Sequence, residues 1–446
     1  MSKNAPDIKA GRLTNEEIEQ NFSDLHPPLG RSEALIAADR CYFCYEAPCT
    51  TACPTGIDIP GFIQKIRSDN LRGSARTILE ENIMGGMCAR VCPTEVLCEE
   101  ACVRNTHEDK PVDIGLLQRY ATDPVFSNGT QLFERASSTG KRIAIVGGGP
   151  AGLACAHRLA MLGHDVVIFN RDGKLGGLNE YGIAAYKTVD NFAQREVDWI
   201  LSIGGIDVKT GVTVGVDIML DELRRDYDAV FVGAGLGDVN ALGLDRETLR
   251  GVENAIDYIA ALRQAVDKSA LPVANAIVVI GGGMTAIDIA VQSKRLGADR
   301  VDIVYRRGPA QMGASRFEQD LARRNGVVIR HWARPVALLG GEHVEGVEFE
   351  RTALDGDGRL VGTGERFTIE CDVVFKAIGQ ALDGARMTQA FATERGKIVV
   401  DDEFRTSIDG VWAGGDCIAG GDDLTVSAVQ HGKLAAHAID RSLRAG

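Results

Sequence analysis

Twice in this chain a short β-branched run ends in a glycine-rich turn and opens a helical pattern, and no other feature limits its fold more. The first copy, RIAIVGGGPAGLACAHRLA from Arg142, sets Gly147, Gly149 and Gly152 in the pattern G-x-G-x-x-G, with Pro150 and Ala151 inside the turn. The second, AIVVIGGGMTAIDIAVQ from Ala276, sets Gly281, Gly283 and Ala286 in the variant that ends in alanine, around Gly282, Met284 and Thr285. In such a turn the first glycine allows a tight bend and the second lets backbone approach a pyrophosphate. The third small residue lets the helix pack on the strand, while the helix N–H groups face the phosphates. A lone match is weak, but both copies lie between a strand pattern and a helix pattern. They predict two dinucleotide-binding folds in a chain of 446 residues, a length that suggests about three domains.

The surroundings of the two loops differ. Twenty-three residues after Gly147, where an acid usually holds ribose hydroxyls, stands Asn170. Gly176-Gly177-Leu178 then forms a further close-approach turn, and Lys187 beyond it is assigned to cofactor binding with it. The second strand of the second unit ends in Tyr305-Arg306-Arg307. Arginine there suits a 2′-phosphate and favours NADPH, a solvated basic pair being the alternative. Late in the chain VWAGGDC places Gly414, Gly415 and Asp416 at a strand end before a helix with Thr425 and Val426, an arrangement able to hold a ribityl chain. FVGAG at 231–235 and FKAIG at 375–379, the latter with Ala377, Ile378 and Gly379, each follow a strand and read as crossings between interleaved domains. Between Arg334 and Glu370 the pattern is that of an antiparallel meander.

Eight of the 11 cysteines lie between positions 41 and 102: Cys41, Cys44, Cys49 and Cys53, then Cys88, Cys92, Cys98 and Cys102. Disulfides, zinc and iron–sulfur clusters could each use such a set. The first 30 residues contain acids and no apolar core of a signal peptide, and no run of 18 apolar residues could span a bilayer. A cytoplasmic protein is therefore expected, and thiols there stay reduced, which favours metal. Close spacings followed by Cys-Pro point to [4Fe–4S] ligation, whereas zinc prefers C-x₂-C pairs set 12 or more residues apart. By count alone, eight cysteines make two clusters. The surrounding helical periodicity, such as Ile59, Phe62, Ile63 and Ile66 after a capping Asp58, predicts a mostly helical domain. A net charge of −13 argues against nucleic acid and anionic membranes as partners.

The order of a GGGPAG loop, a GGL turn, two strand–Ala/Gly crossings, an inserted GGGMTA loop and a late GGD resembles the flavoproteins with two dinucleotide-binding domains. The resemblance implies FAD in a discontinuous domain over 135–250 and 380–446, and NAD(P)H in an inserted domain over 251–379. The fold expected is thus an N-terminal α-helical [4Fe–4S] domain over 1–126 followed by two interleaved Rossmann-like α/β domains. The stretch CYFCYEAPCTTACPTGIDIPGFI, followed by GGMCARVCPTEVLCEEACVR and joined to that flavoprotein module, resembles the N-terminal half of the dihydropyrimidine dehydrogenase family. It is most similar to the bacterial forms in which that half is a separate subunit.

That resemblance implies several things which spacing does not. One cluster takes Cys41, Cys44, Cys49 and Cys102; the other takes Cys53, Cys92 and Cys98 with Gln118, sixteen residues after the last cysteine, and leaves Cys88 a neighbour. The bacterial relatives are implied to use NADH despite a similar arginine pair. Gly313 stands where the NADPH-using relatives have a further basic residue, so NADH is favoured. No side chain is nominated as catalytic acid or base, and His157, His164, His431 and His437 read as structural. The implied activity is oxidation of NADH at FAD and relay through two clusters to a partner subunit. That partner would hold FMN and further clusters and reduce uracil or thymine, or run in reverse. The alternative relative is the small subunit of glutamate synthase, whose second motif is similar to CPAPCE with three residues between the cysteines. Here five separate Cys92 from Cys98.

Overall fold

The computed structural model describes residues 7–382 and 391–445; residues 1–6, 383–390 and 446 of the expected domains lie outside the described residues. Two compact units share the chain. One comprises Met1–Leu25, Tyr181–Val189 and Val239–Gln380, the other His26–Glu180, Asp190–Asp238 and Ala381–Gly446.

Each unit is built on a five-stranded parallel sheet with a glycine-loop strand at its centre. In the first the order is Val328–His331, Arg300–Tyr305, Ala276–Gly281, Val373–Ala377, Val252–Asn254. In the second it is Val411–Ala413, Ala229–Val232, Arg142–Val146, Asp165–Asn170, Ile206–Thr210. Central parallel strands are covered on both faces and so read as continuous apolar runs; Ile143, Ala144 and Ile145 in one sheet and Ile277, Val278 and Val279 in the other are all buried. The meander is present in the first unit as an antiparallel sheet of Ala333–Gly340, Val344–Leu354 and Leu360–Glu370.

In the second unit the cysteine-bearing segment forms helices Arg31–Asp39, Ile59–Arg67, Leu71–Glu81, Gly85–Val91 and Ile114–Asn128. Asp58 caps Ile59–Arg67 by accepting from the Gly61 N–H at 3.0 Å, and Ile59, Phe62, Ile63 and Ile66 all point into the core, as their spacing predicts. This segment and the flavoprotein-like sheet share one unit, and a half-buried ion pair is among the links between them. Lys433 donates to Glu81 at 2.6 Å and to the Thr55 carbonyl at 3.1 Å.

Residues 7–25 do not stay with the cysteine helices. Ile8–Lys9 pairs antiparallel with Val273–Ala274, and Arg12 donates to the Val273 carbonyl at 3.1 Å. The helix Asn15–Asn21, closed by a Thr14–Glu17 capping box, buries Ile18 in a core that also holds Phe22, Val279 and Ile287. The periodicity of so short a helix reveals an apolar stripe but not which core receives it.

Candidate functional site

The first glycine loop leaves space where a phosphate would sit. Gly147 has φ +94°, and a Cβ there would run into the Gly233 carbonyl oxygen; a Cβ on Gly152 would strike the Gly147 oxygen. On Gly149, by contrast, the nearest atom to an added Cβ is the Gly177 Cα at 3.8 Å, so the front of helix Pro150–Met161 is open. Asn170 is buried and braces this loop: its Oδ1 accepts from the Gly148 N–H at 2.9 Å, and its Nδ2 donates to the carbonyls of Asp172 and Lys174 at 2.8 and 3.0 Å. Both amide hydrogens are therefore spent on the protein. Gly176 donates to the Gly148 carbonyl at 2.7 Å, which holds the GGL turn beside the loop with Leu178 exposed.

The late motif faces the same crevice. Gly415, with φ +81°, would bring a Cβ to 3.0 Å from that of Ala151, and its N–H donates to His431 Nδ1 at 3.2 Å. His431 thus anchors this loop, a structural role. Burial first, then the nearby Asp423, pushes the Asp416 carboxyl up to about 6. No donor engages that carboxylate among the described residues, and ribityl hydroxyls would supply the missing ones. Thr425 opens the helix Thr425–Ala445 and donates to Asn179 Oδ1 at 2.7 Å, with Val426 buried beside it. An open phosphate cradle, an exposed apolar turn and an unpaired carboxylate fit a flavin dinucleotide.

In the other unit Gly281 has φ +150°, and a Cβ there would collide with the Ala377 oxygen, so the fingerprint strand runs hard against the end of Val373–Ala377, where Ile378 and Gly379 follow. Nothing lies within 4 Å of a Cβ added to Gly283, the N-cap of Met284–Arg295, while Gly282 packs on the Tyr305 ring. Met284 and Thr285 form the first turn beyond this open cradle, which fits a second dinucleotide. Arg306 is exposed and Arg307 half-buried, and no ion pair engages either guanidinium among the described residues. Their carbonyls accept from Thr352 Oγ1 at 2.8 Å and the Trp332 N–H at 3.2 Å, which fixes the backbone and leaves the side chains available. Gly313 lies 3.8 Å from the Gly283 Cα, measured from its added Cβ.

Lys187 lies in this unit rather than with the flavin-type loop. Its buried Nζ stands 2.7 Å from both Asp288 Oδ1 and Glu318 Oε1. Burial alone would lower its pKa, but the two carboxylates reverse that and raise it. Its charge is thus committed to a triad that only a folded chain reveals.

The cysteines lie in two neighbouring groups, with Cys98 close enough to feel the charges of both Cys53 and Cys49. Cys41, Cys44, Cys49 and Cys102 line one small cavity of about 20 Å³, together with Tyr42, Ile63 and Arg104. Burial pushes the Cys49 thiol up to about 11, and the nearby thiols of Cys41 and Cys102 add to this. Cys92 is raised by its contact with Cys88, by burial and by the charges of Cys98 and Cys53, which places these four thiols together. Gln118, buried, donates through Nε2 to the Gly85 carbonyl at 2.7 Å, at the start of the helix that ends before Cys92. Thiols held this high in pKa ligate only when a metal takes the place of the proton. No three His, Cys, Asp or Glu side chains among the described residues converge on a single ion. A [4Fe–4S] cluster does not ask for that, because each ligand meets a different iron corner; tetrahedral zinc would need four ligands at about 2.0–2.3 Å from one point.

Two dinucleotide cradles and a cysteine-lined cavity define the class: an NAD(P)-dependent flavoprotein oxidoreductase with a 4Fe–4S domain. Residues 141–432 match the pyridine nucleotide-disulphide oxidoreductases, and residues 18–130 match dihydropyrimidine dehydrogenase domain II, 4Fe-4S cluster. The chain is 35% identical over 95% of its length, and 98% of the relative's, to the NAD-dependent dihydropyrimidine dehydrogenase subunit PreT of Salmonella typhimurium. It is 33% identical to the glutamate synthase [NADPH] small chain of Escherichia coli, over 94% of this chain and 93% of that one. The chain belongs to this family of pyridine nucleotide-disulphide oxidoreductases with an N-terminal 4Fe–4S domain. In fold it is similar to Mycobacterium tuberculosis FprA in complex with NADPH, with a TM-score of 0.58 at 19% identity over 68% of this chain and 85% of that one. T. acidophilum thioredoxin reductase gives 0.54 at 22% identity over 68% of this chain and 99% of that one. Among the described residues no helix is long and apolar enough to cross a membrane.

Proposed function

We propose that this chain is the electron-input subunit of a dihydropyrimidine dehydrogenase. It takes a hydride from NADH at FAD and relays electrons through two [4Fe–4S] clusters to a partner subunit with FMN and further clusters. That partner reduces uracil or thymine to the 5,6-dihydro form, reversibly. The observation that carries this reading is that Cys41, Cys44, Cys49 and Cys102 line one cavity, while Cys92 contacts Cys88 and feels the charges of Cys98 and Cys53. Near full-length likeness to a subunit named for that activity supports it.

A flavin bound between the other two groups would supply the needed conversion, since it accepts a hydride as two electrons together and can release them singly. The protein's part is placement. Gly149 and Gly283 open their helix N-termini to phosphates, and Asn170 stiffens the first loop. Asp416 receives hydroxyl groups, and Cys41, Cys44, Cys49 and Cys102 hold one cluster while Cys53, Cys92, Cys98 and Gln118 hold the other. No side chain in either crevice is required as acid or base.

Two points of this reading are open to direct competition. The unpaired Arg306 and Arg307 favour a 2′-phosphate, whereas the relative's name favours NADH. Likeness to the glutamate synthase small chain supports the same input role with another acceptor subunit. Anaerobic co-purification with the candidate FMN subunit, followed by uracil-dependent oxidation of NADH and separately of NADPH, decides both. The chain alone should oxidise NADH with an artificial acceptor and leave uracil untouched; reduction of uracil by the chain alone refutes the division of labour.

A further inference from the structure

We propose that Asn179 and Met84 form the route by which electrons pass from the flavin crevice to the second cluster site. The inference rests on the reading above for what occupies each end. Thr425, at the mouth of the late helix, donates to Asn179 Oδ1 at 2.7 Å, and Asn179 Nδ2 donates to the Met84 sulfur at 3.8 Å. Both Asn179 and Met84 are wholly buried. From Met84 two short branches reach residues assigned to the same cluster. Along the chain, the next carbonyl, that of Gly85, accepts from Gln118 Nε2 at 2.7 Å. Through the helix, the Met84 carbonyl accepts from the Cys88 N–H at 2.9 Å, and the Cys88 carbonyl accepts from the Cys92 N–H at 3.0 Å.

The residue types suit the task. Asn179 offers both an acceptor and a donor, so it continues a hydrogen-bonded line that an apolar side chain would break. The methionine sulfur is polarizable and fills the contact without charge. Gly85 contributes by lacking a side chain: an added Cβ would stand 2.6 Å from Ile78 Cγ2 and 3.7 Å from Gln118 Nε2. The route also gives Cys88 a place, as the backbone link between Met84 and Cys92 rather than a ligand.

The electron count closes. Bound FAD would take the hydride of NADH as two electrons and one proton, and would then give up the electrons singly and release that proton to solvent. Each departure reduces a [4Fe–4S] cluster by one charge, and the partner's acceptor reoxidises it.

The test uses holoprotein loaded with FAD and iron, mixed anaerobically with NADH. Flavin bleaching is followed by absorbance, and cluster reduction by freeze-quench electron paramagnetic resonance. Met84→Leu conserves volume but removes the sulfur acceptor, and Met84→Ala opens a gap. Both should bleach flavin at the parent rate with parent FAD and iron contents. The cluster signal should arise severalfold more slowly in Met84→Leu and more slowly still in Met84→Ala. If the parent protein itself does not bleach with NADH, the functional reading fails. If the parent bleaches and both variants fill the cluster at its rate, the route is wrong while that reading stands.

Discussion

Replacing Glu196 by glutamine should stabilise the protein by an amount that grows with pH. Glu196 lies on the helix Phe192–Leu201 and is wholly buried. Its Oε1 accepts from the N–H groups of Gly86 and Met87 at 2.9 and 3.0 Å, while Oε2 has no hydrogen-bond partner. Burial outweighs those bonds and the nearby Arg90, and pushes the carboxyl from 4.5 to about 8. The folded protein thus favours the neutral acid. Below pH 4.5 both states hold the proton and nothing is lost. As pH rises from there to about 8, the unfolded chain releases the proton first, and stability falls by about 1.4 kcal/mol per pH unit. The cost is roughly 3 kcal/mol at neutral pH and levels off near roughly 5 kcal/mol. Glutamine keeps the acceptor for both N–H groups and removes the titration, offset by about 1–3 kcal/mol for an amide left without partners. Hydrogen exchange at the Gly86 and Met87 amides in parent and Glu196→Gln proteins, from about pH 5 to about pH 8, reads the local opening energy. The difference between the two should climb by about 1.4 kcal/mol per pH unit. A difference that is flat, or that falls with pH, refutes the argument.

Gly283→Val fills the open cradle at the front of Met284–Arg295 and should raise KM for NADH by about tenfold or more, a loss of about 1.4 kcal/mol or greater, with FAD content unchanged. Cys41→Ser should remove one cluster and about half of the iron, measured by iron analysis after anaerobic purification. Phe62→Ala, at a wholly buried position, should cost about 3–5 kcal/mol of local stability and be seen as faster exchange across Ile59–Arg67. Alanine at both Arg306 and Arg307 should weaken NADPH by about 1.5–3 kcal/mol per lost charge-assisted bond and NADH far less. Equal losses for the two nucleotides would make the pair a solvated surface feature.

Much of this architecture could be read before any fold was seen, because the signals are local. A G-x-G-x-x-G turn carries its strand and helix with it, and the Asp58 cap and its apolar stripe lie within nine residues of one another. The grouping of Cys102 with the first three cysteines came from family likeness alone, and the cavity they line gives it a physical basis. What stayed hidden depends on distant pairing. Lys187 meets a carboxylate 131 positions away, and Asn179 meets a sulfur 95 positions away. Neither separation leaves a trace in local pattern. The place of the N-terminal arm is hidden for the same reason: Ile18 and Phe22 announce a buried face, and only the pairing of Ile8–Lys9 with Val273–Ala274 says whose core they enter. Asn170 was legible as an anomaly, and its carbonyl and amide explain it as a brace for the loop.

The central claim is that hydride enters at a flavin and leaves as single electrons through iron. Anaerobic titration of the isolated holoprotein with NADH, followed by visible absorbance and electron paramagnetic resonance, tests it most directly. The account predicts loss of flavin absorbance together with the appearance of a reduced-cluster signal. Flavin bleaching with no cluster reduced at any NADH concentration would contradict it.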